Sequence, residues 1–204
     1  MAKITDQLTH LEKDKALKKV IEQVGVIKTK KDLDLYVALM RAIVSQQLSV
    51  KAAATIWSRF LALFKDGYPD AKAVLKLKDD QMRAVGLSYQ KAGYIKNIAQ
   101  FSIEKTLEYK ALKNKSDNEL IEYLVEIKGV GRWTVEMILM FNLNRFDILP
   151  KDDLGIQNGM ISLYKLHPSS KKELYNEMER IAENWRPYRS LACMYIWRHK
   201  DAVK

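Results

Sequence analysis

The feature that most constrains this chain is Lys128-Gly129-Val130-Gly131, a turn set between two apolar periods of helical spacing. Upstream of it, Ser116-Asp117-Asn118-Glu119 fits a capping box, and Leu120, Ile121, Leu124 and Val125 recur at the helical interval. Gly129 and Gly131 stop that helix, since glycine accepts a positive φ without strain. From Arg132 to Phe141 the period resumes through Trp133, Met137 and Met140. Residues 117–141 therefore predict two short helices joined by a hairpin. Amides at the turn and at the following helix start are placed to meet an anion. A dinucleotide loop would need a third glycine where Thr134 stands, and a strand before it. A phosphate loop would need Gly-Lys-Ser/Thr at its end. On the turn alone, a ligand-free helix–helix connection remains open.

The residues after the hairpin add chemistry. Pro150 disfavours a helical Leu149, so 147–151 predicts an extended approach to a new helix beginning at Leu154. Asp152 or Asp153 caps that helix. Adjacent residues point about 100° apart, so one aspartate can cap while the other faces a cleft.

With these residues in view the chain resembles a known family. Leu124-Val125-Glu126-Ile127-Lys128-Gly129-Val130-Gly131-Arg132-Trp133-Thr134, followed 22 positions after Gly131 by Asp153, is similar to the helix-hairpin-helix (HhH-GPD) superfamily of DNA glycosylases. The Asp-Asp-Leu run after Leu149-Pro150, Trp185-Arg186-Pro187-Tyr188-Arg189-Ser190 and Tyr195-Ile196-Trp197 resemble its alkylpurine branch, the 3-methyladenine DNA glycosylase II type. The likeness runs from about residue 35 to 200. It implies two helical lobes with the active-site cleft between them, 35–145 as the central lobe and 1–34 plus 146–204 as the other. It implies Asp153 as the catalytic residue, with Asp152 the helix cap or a support behind it. It also implies a base pocket with Trp133, Trp197 and Met137, the last at a position that is tyrosine in some relatives. The hairpin residues Lys128, Gly129, Val130, Gly131 and Arg132 would hold the DNA backbone. A monovalent cation, Na+ or K+, on the carbonyls of Val125, Ile127 and Val130 would assist them.

The net charge of +10 agrees with a polyanionic partner. Lysines scattered along the chain, rather than gathered beside one amphipathic anchor, argue against a membrane surface. The single cysteine, Cys193, excludes an intramolecular disulfide, a cysteine-rich zinc site and the four-cysteine iron–sulfur cluster of some superfamily members. His10, His167 and His199 lack ligand spacing. No cofactor is expected beyond that cation. Absence of a signal peptide or membrane span predicts a cytosolic protein, nucleoid-associated or nuclear according to its host.

Taken in order, residues 6–24 predict one basic amphipathic helix closed by Gly25, with Lys13, Lys15, Lys18 and Lys19 on its outer face and Lys28, Lys30 and Lys31 after it. Asp32 is placed to cap a helix running through Ser45, and Ser49 to cap the next. Between them Gln46, Gln47 and Leu48 form an exposed corner. In the resembling family this corner supplies the side chain that fills the gap left by a flipped base; the match points to Gln47, with Gln46 and Leu48 beside it. Ser88 caps a helix through Ala92, Ile95, Ile98 and Ala99, with Lys91 and Lys96 exposed on it. Residues 105–116 make a polar connection, Ser170 to Glu173 forms a capping box, and Pro187 starts the last helix. No strand-like alternation occurs, so the fold class is all-α, with about ten helices.

The resemblance implies a monofunctional enzyme. Superfamily members that also cut the strand carry a lysine where Trp133 stands, and its amine attacks the sugar. The expectation is a monomer that flips alkylated purines such as 3-methyladenine and 7-methylguanine out of duplex DNA and hydrolyses their glycosidic bond. The alternative is a non-catalytic helix-hairpin-helix DNA-binding protein, which would need the hairpin but neither Asp153 nor the tryptophans.

Overall fold

Short amphipathic stretches punctuated by good caps give an all-helical chain. The computed structural model describes residues 4–27 and 34–202, and no strand occurs among them. In chain order the helices are α1 (Ile4–Leu11), α2 (Lys15–Val24), α3 (Leu35–Ser45), α4 (Val50–Leu61), α5 (Ala71–Lys76), α6 (Asp79–Ala84) and α7 (Tyr89–Glu104). They continue with α8 (Tyr109–Leu112), α9 (Asp117–Val125), α10 (Arg132–Phe141), α11 (Leu154–Tyr164), α12 (Lys171–Glu183) and α13 (Arg189–Ala202). None of the described helices is long and apolar enough to cross a membrane.

Thirteen described helices exceed the expected ten because several breaks are made by side chains that periodicity cannot register. The predicted helix over 6–24 is two helices, and Asp14 is the reason. Its Oδ1 accepts from the amides of Ala16 and Leu17 and so starts α2 afresh. Its Oδ2 accepts from the Tyr164 hydroxyl at 2.7 Å and the Trp185 indole at 3.0 Å. Gly25 ends α2 at φ 73° as expected. Asp34 caps α3 through the Val37 amide; Asp32, with Lys28, Lys30 and Lys31, lies outside the described residues. The polar connection over 105–116 contains α8. The last helix begins at Arg189, two residues after Pro187. At α12, Glu173 reaches back to Ser169 while Ser170 accepts the Glu173 amide, so the box spans one residue more than expected.

The chain divides into two compact units, Lys31–Ile138 and a second made of Met1–Lys30 with Leu139–Lys204. Inside the 31–138 unit α7 is the central helix and packs against α3, α5 and α6. Ala92, Ile95, Ile98 and Ala99 form its buried stripe, against Leu39, Met40 and Ile43 of α3. In the other unit α13 packs on α2 and α11, and α12 on α11. The core there holds Leu17, Met160, Trp185, Cys193, Tyr195 and Ile196.

Candidate functional site

The hairpin is built from what Gly129 omits. Its φ is +103°, and a Cβ there would lie 2.2 Å from the ring of Tyr94 on α7. No other residue type fits, because the ring lies against the backbone at that point. Asn97, one turn further along α7, donates to the Lys128 carbonyl at 3.0 Å. Val130 is buried and its amide bonds the Ile127 carbonyl at 2.9 Å, tightening the turn. Gly131 behaves differently from the expectation. Its φ lies outside the left-handed region, and an added Cβ would meet nothing within 4 Å. Folding does not require glycine here; its missing side chain leaves the backbone open to an approaching group. Arg132 stays largely exposed while its Nε donates to the buried Glu136 carboxylate at 2.9 Å. Trp133 is 42% exposed in the first turn of α10, and half-buried Met137 follows one turn later on the same face. Met140, by contrast, is fully buried in the core.

The Gln46–Leu48 corner lies in the same unit. Ser49 caps α4 through the Ala52 amide, as expected. Gln46 turns its amide toward Thr134 of α10, Nε2 to Oγ1 at 3.4 Å, and is half-buried. Gln47 is exposed and sits at φ 57°, the left-handed region, which costs a non-glycine residue on the order of 1 kcal/mol. Leu48 is exposed as well. Gln47 and Leu48 are thus both exposed, Gln47 alone on a left-handed backbone, and Gln46 is engaged. Lys91 was expected to be a solvated surface lysine. Instead its Nζ donates to the Val44 carbonyl at 2.8 Å and the Gln46 carbonyl at 2.6 Å. Partial burial lowers its pKa from the usual lysine value.

In the other unit the cap expected of Asp152 is made by Asp153. Asp153 itself caps α11, its Oδ1 accepting from the Ile156 amide at 2.8 Å. The same oxygen accepts from the Trp197 indole N–H at 2.9 Å. Asp152 caps nothing: exposed, it accepts from the Tyr175 hydroxyl and, at 3.3 Å, from Lys171. The Tyr175 bond, then Lys171, holds its pKa below the usual carboxylate value. Asp153 is placed by its surroundings on every side. Its amide bonds the Pro150 carbonyl at 3.0 Å, and Gln157 closes the same turn through the Lys151 carbonyl at 2.6 Å. Trp197 is half-buried and its ring stacks at a tilt on Phe141, centroids 5.6 Å apart. Upstream, Arg189 bonds Asp147 through the carboxylate and the carbonyl, both at 2.6 Å. Ser190 bonds the amide of Ile148 at 3.0 Å, so the approach segment is pinned to the start of α13.

Two residues that sequence reasoning passed over make this pairing possible. A Cβ on Gly155 would lie 2.9 Å from Asp153 Oδ1 and 2.9 Å from the Trp197 ring. One on Gly159 would lie 2.3 Å from Ile196. Glycine in a helix interior costs about 1 kcal/mol relative to alanine. Two of them four apart on α11 were a visible signal of close approach by another helix, here α13. Tyr94 and Asn97 were also missed, and nothing local distinguishes them from ordinary helix-surface residues.

The fold and these geometries can be set beside known proteins. The model of the HhH-GPD superfamily base excision DNA repair proteins matches residues 40–186. DNA-3-methyladenine glycosylase 1 of Schizosaccharomyces pombe is 37% identical over 190 residues, covering 91% of this chain and 82% of that protein. The DNA-3-methyladenine glycosylase of Saccharomyces cerevisiae is 31% identical, covering 81% of this chain and 66% of its own length. Among solved structures, the S. pombe 3-methyladenine DNA glycosylase in complex with abasic DNA superposes with a TM-score of 0.83 at 35% identity, covering 95% of each chain. A DNA-3-methyladenine glycosidase from Bacillus halodurans gives 0.79 at 32% identity, covering 93% of this chain and 86% of its own. With its hairpin glycine, its helix-capping aspartate and a family match over most of its length, this chain belongs to the HhH-GPD superfamily of base excision DNA repair proteins.

Proposed function

We propose that this protein is a monofunctional DNA glycosylase that flips alkylated purines, 3-methyladenine and 7-methylguanine among them, out of duplex DNA and releases them by hydrolysis. The observation that carries this reading is Asp153, whose Oδ1 is gripped by the Ile156 amide and the Trp197 indole. Two donors on one oxygen fix the plane of the carboxylate. Breaking a glycosidic bond builds positive charge on the sugar, and a fixed carboxylate beside it stabilises that charge and orients water. An alkylated purine carries its own positive charge and leaves without a second carboxyl group to protonate it. Trp133 and Trp197, partly exposed, suit the electron-poor face of such a base.

Trp133 also stands where strand-cutting members of the superfamily carry a lysine nucleophile. The product is therefore an unbroken strand with an abasic site, made by a protein acting as a monomer. The hairpin grips phosphate without reading sequence. A monovalent cation on the Val125, Ile127 and Val130 carbonyls would assist that grip. The Ile127 oxygen keeps a lone pair after accepting from the Val130 amide. Among the described residues no group of three or more His, Cys, Asp or Glu offers a competing metal site.

The test is a duplex with one 3-methyladenine or 7-methylguanine. Free base should be released, and the strand should break only on alkaline treatment. Borohydride trapping of a covalent complex, or nicking without added base, refutes the monofunctional chemistry. Binding without base release leaves the protein a hairpin DNA-binding module instead.

A further inference from the structure

We infer that Lys91 is a positioning residue for the duplex plug: its ammonium clamps the Val44 and Gln46 carbonyls and so holds Gln47 in its outward, left-handed conformation. The inference rests on the reading of the 45–49 corner as the segment that fills the gap left by a flipped base.

The geometry is specific to that task. The last carbonyls of a helix have no intrahelical donor, and a cation near them also complements the negative end of the helix. Lys91 meets this need at the end of α3 while also reaching past the helix to Gln46, at 2.8 and 2.6 Å. The two carbonyls lie at the end of α3 and at the first residue beyond it, and Gln47 follows immediately at φ 57°. A residue in that region persists only when its surroundings over-determine it. Here they do so from both sides, since Ser49 caps α4 just beyond and the Gln46 side chain turns toward Thr134. Lys91 is half-buried on α7, whose neighbouring apolar residues are packed, so its stem is not free to swing. A lysine used for solubility would keep its ammonium in water; this one gives up hydration for two peptide oxygens.

A plug that is not pre-set must be ordered at the moment the base leaves the stack, and that ordering slows the step. Lys91 therefore acts on the rate of base extrusion more than on the grip on DNA.

The test measures wild type, Lys91→Met, Lys91→Arg, Gln47→Ala and the Lys91→Met/Gln47→Ala double variant. Duplexes carry one lesion beside 2-aminopurine, whose fluorescence reports unstacking. The methionine variant keeps the stem and loses the two bonds. It should retain the melting temperature and Kd within about twofold, and lose roughly tenfold in single-turnover rate and in the rate of the fluorescence rise. Lys91→Arg, which keeps charge and reach, should recover most of both. The double variant should be no slower than Gln47→Ala, because the clamp has nothing left to position. A Lys91→Met variant as fast as wild type, or losses that multiply in the double variant, overturns the inference. If Lys91→Met melts early, Lys91→Gln, too short to span both carbonyls, decides by the same comparison with and without Gln47→Ala. Failure of the wild type to release base sinks the glycosylase reading; normal wild-type release with an inert Lys91 sinks only this one.

Discussion

At the hairpin before α10 the decisive residues are defined by side chains they lack. Gly129 is held by the Tyr94 ring where no Cβ fits, and Gly131 leaves its backbone open. At the turn before α11 the decisive residue is defined by a side chain held through one oxygen, Asp153 Oδ1 being bonded to an amide and an indole. On the proposed reading, the difference follows from the partner each would meet. A phosphate is bulky and common to every nucleotide, so backbone groups and open space suffice to hold it. A developing charge on one sugar needs a carboxylate fixed in place, and fixing it takes donors, caps and a close helix contact. The first site would then accept any sequence of DNA, and the second would tolerate little change in itself.

That contrast can be broken most forcefully at Asp153. The Asp153→Asn variant keeps an oxygen for both the Ile156 and Trp197 bonds, so the fold should survive with an unchanged melting temperature. Single-turnover base release should fall by about 10²–10³, the scale for removing one group aimed at transition-state charge. Wild-type rates in this variant would end the electrostatic account. Next comes Gly129→Ala, which forces a methyl toward the Tyr94 ring in an unfavourable φ region. Urea denaturation should show a loss of roughly 3 kcal/mol. A neutral result would mean that the turn can shift away from α7.

Trp197→Phe sharpens the comparison from the other side. It keeps the ring contact with Phe141 but deletes the N–H to Asp153. We expect base release to fall about tenfold with little change in DNA affinity, a net hydrogen bond to a charged group being worth roughly 1.5–3 kcal/mol. Equal losses in affinity and rate would place the tryptophan among DNA contacts instead. Gly131→Ala should leave stability within about 0.5 kcal/mol and weaken binding a few-fold, alike for damaged and undamaged sequences. Gly129 and Gly131, two positions apart, should thus separate into folding and binding effects. Asp152→Asn should change base release least, within about twofold, because its partners are exposed and the pair is screened.

The ease of reading the chain followed the same division. The hairpin was legible because capping boxes and glycine punctuate sequence locally: Ser116 and the start at Arg132 fall where expected, while α9 ends at Val125, before Gly129 is reached. Caps at Ser49, Ser88 and Ser170 were legible for the same reason. The aspartate pair was legible as a pair but not in its division of roles, because either residue satisfies a capping rule. Only the position of Trp197, forty-four residues later, decides which oxygen receives a second donor. Lys91, Tyr94 and Asn97 were hidden altogether. Each looks like an ordinary helix-surface residue until the segments it touches, 30 to 50 positions away, are folded beside it.

Those three side chains lie on successive turns of one helix. Lys91 reaches the plug corner while Tyr94 and Asn97 hold the hairpin, and six residues of helix rise span only about 9 Å. A helix resists stretching, so on the proposed reading it would act as a gauge between the point of insertion and the point of grip. A tool of fixed gauge passes its misfit to the workpiece. Stiff, well-stacked DNA resists that demand, while steps that unstack easily or carry a weakly paired base yield to it. Part of the enzyme's discrimination would then be exercised before any base reaches the pocket, as a mechanical trial of each step along the duplex.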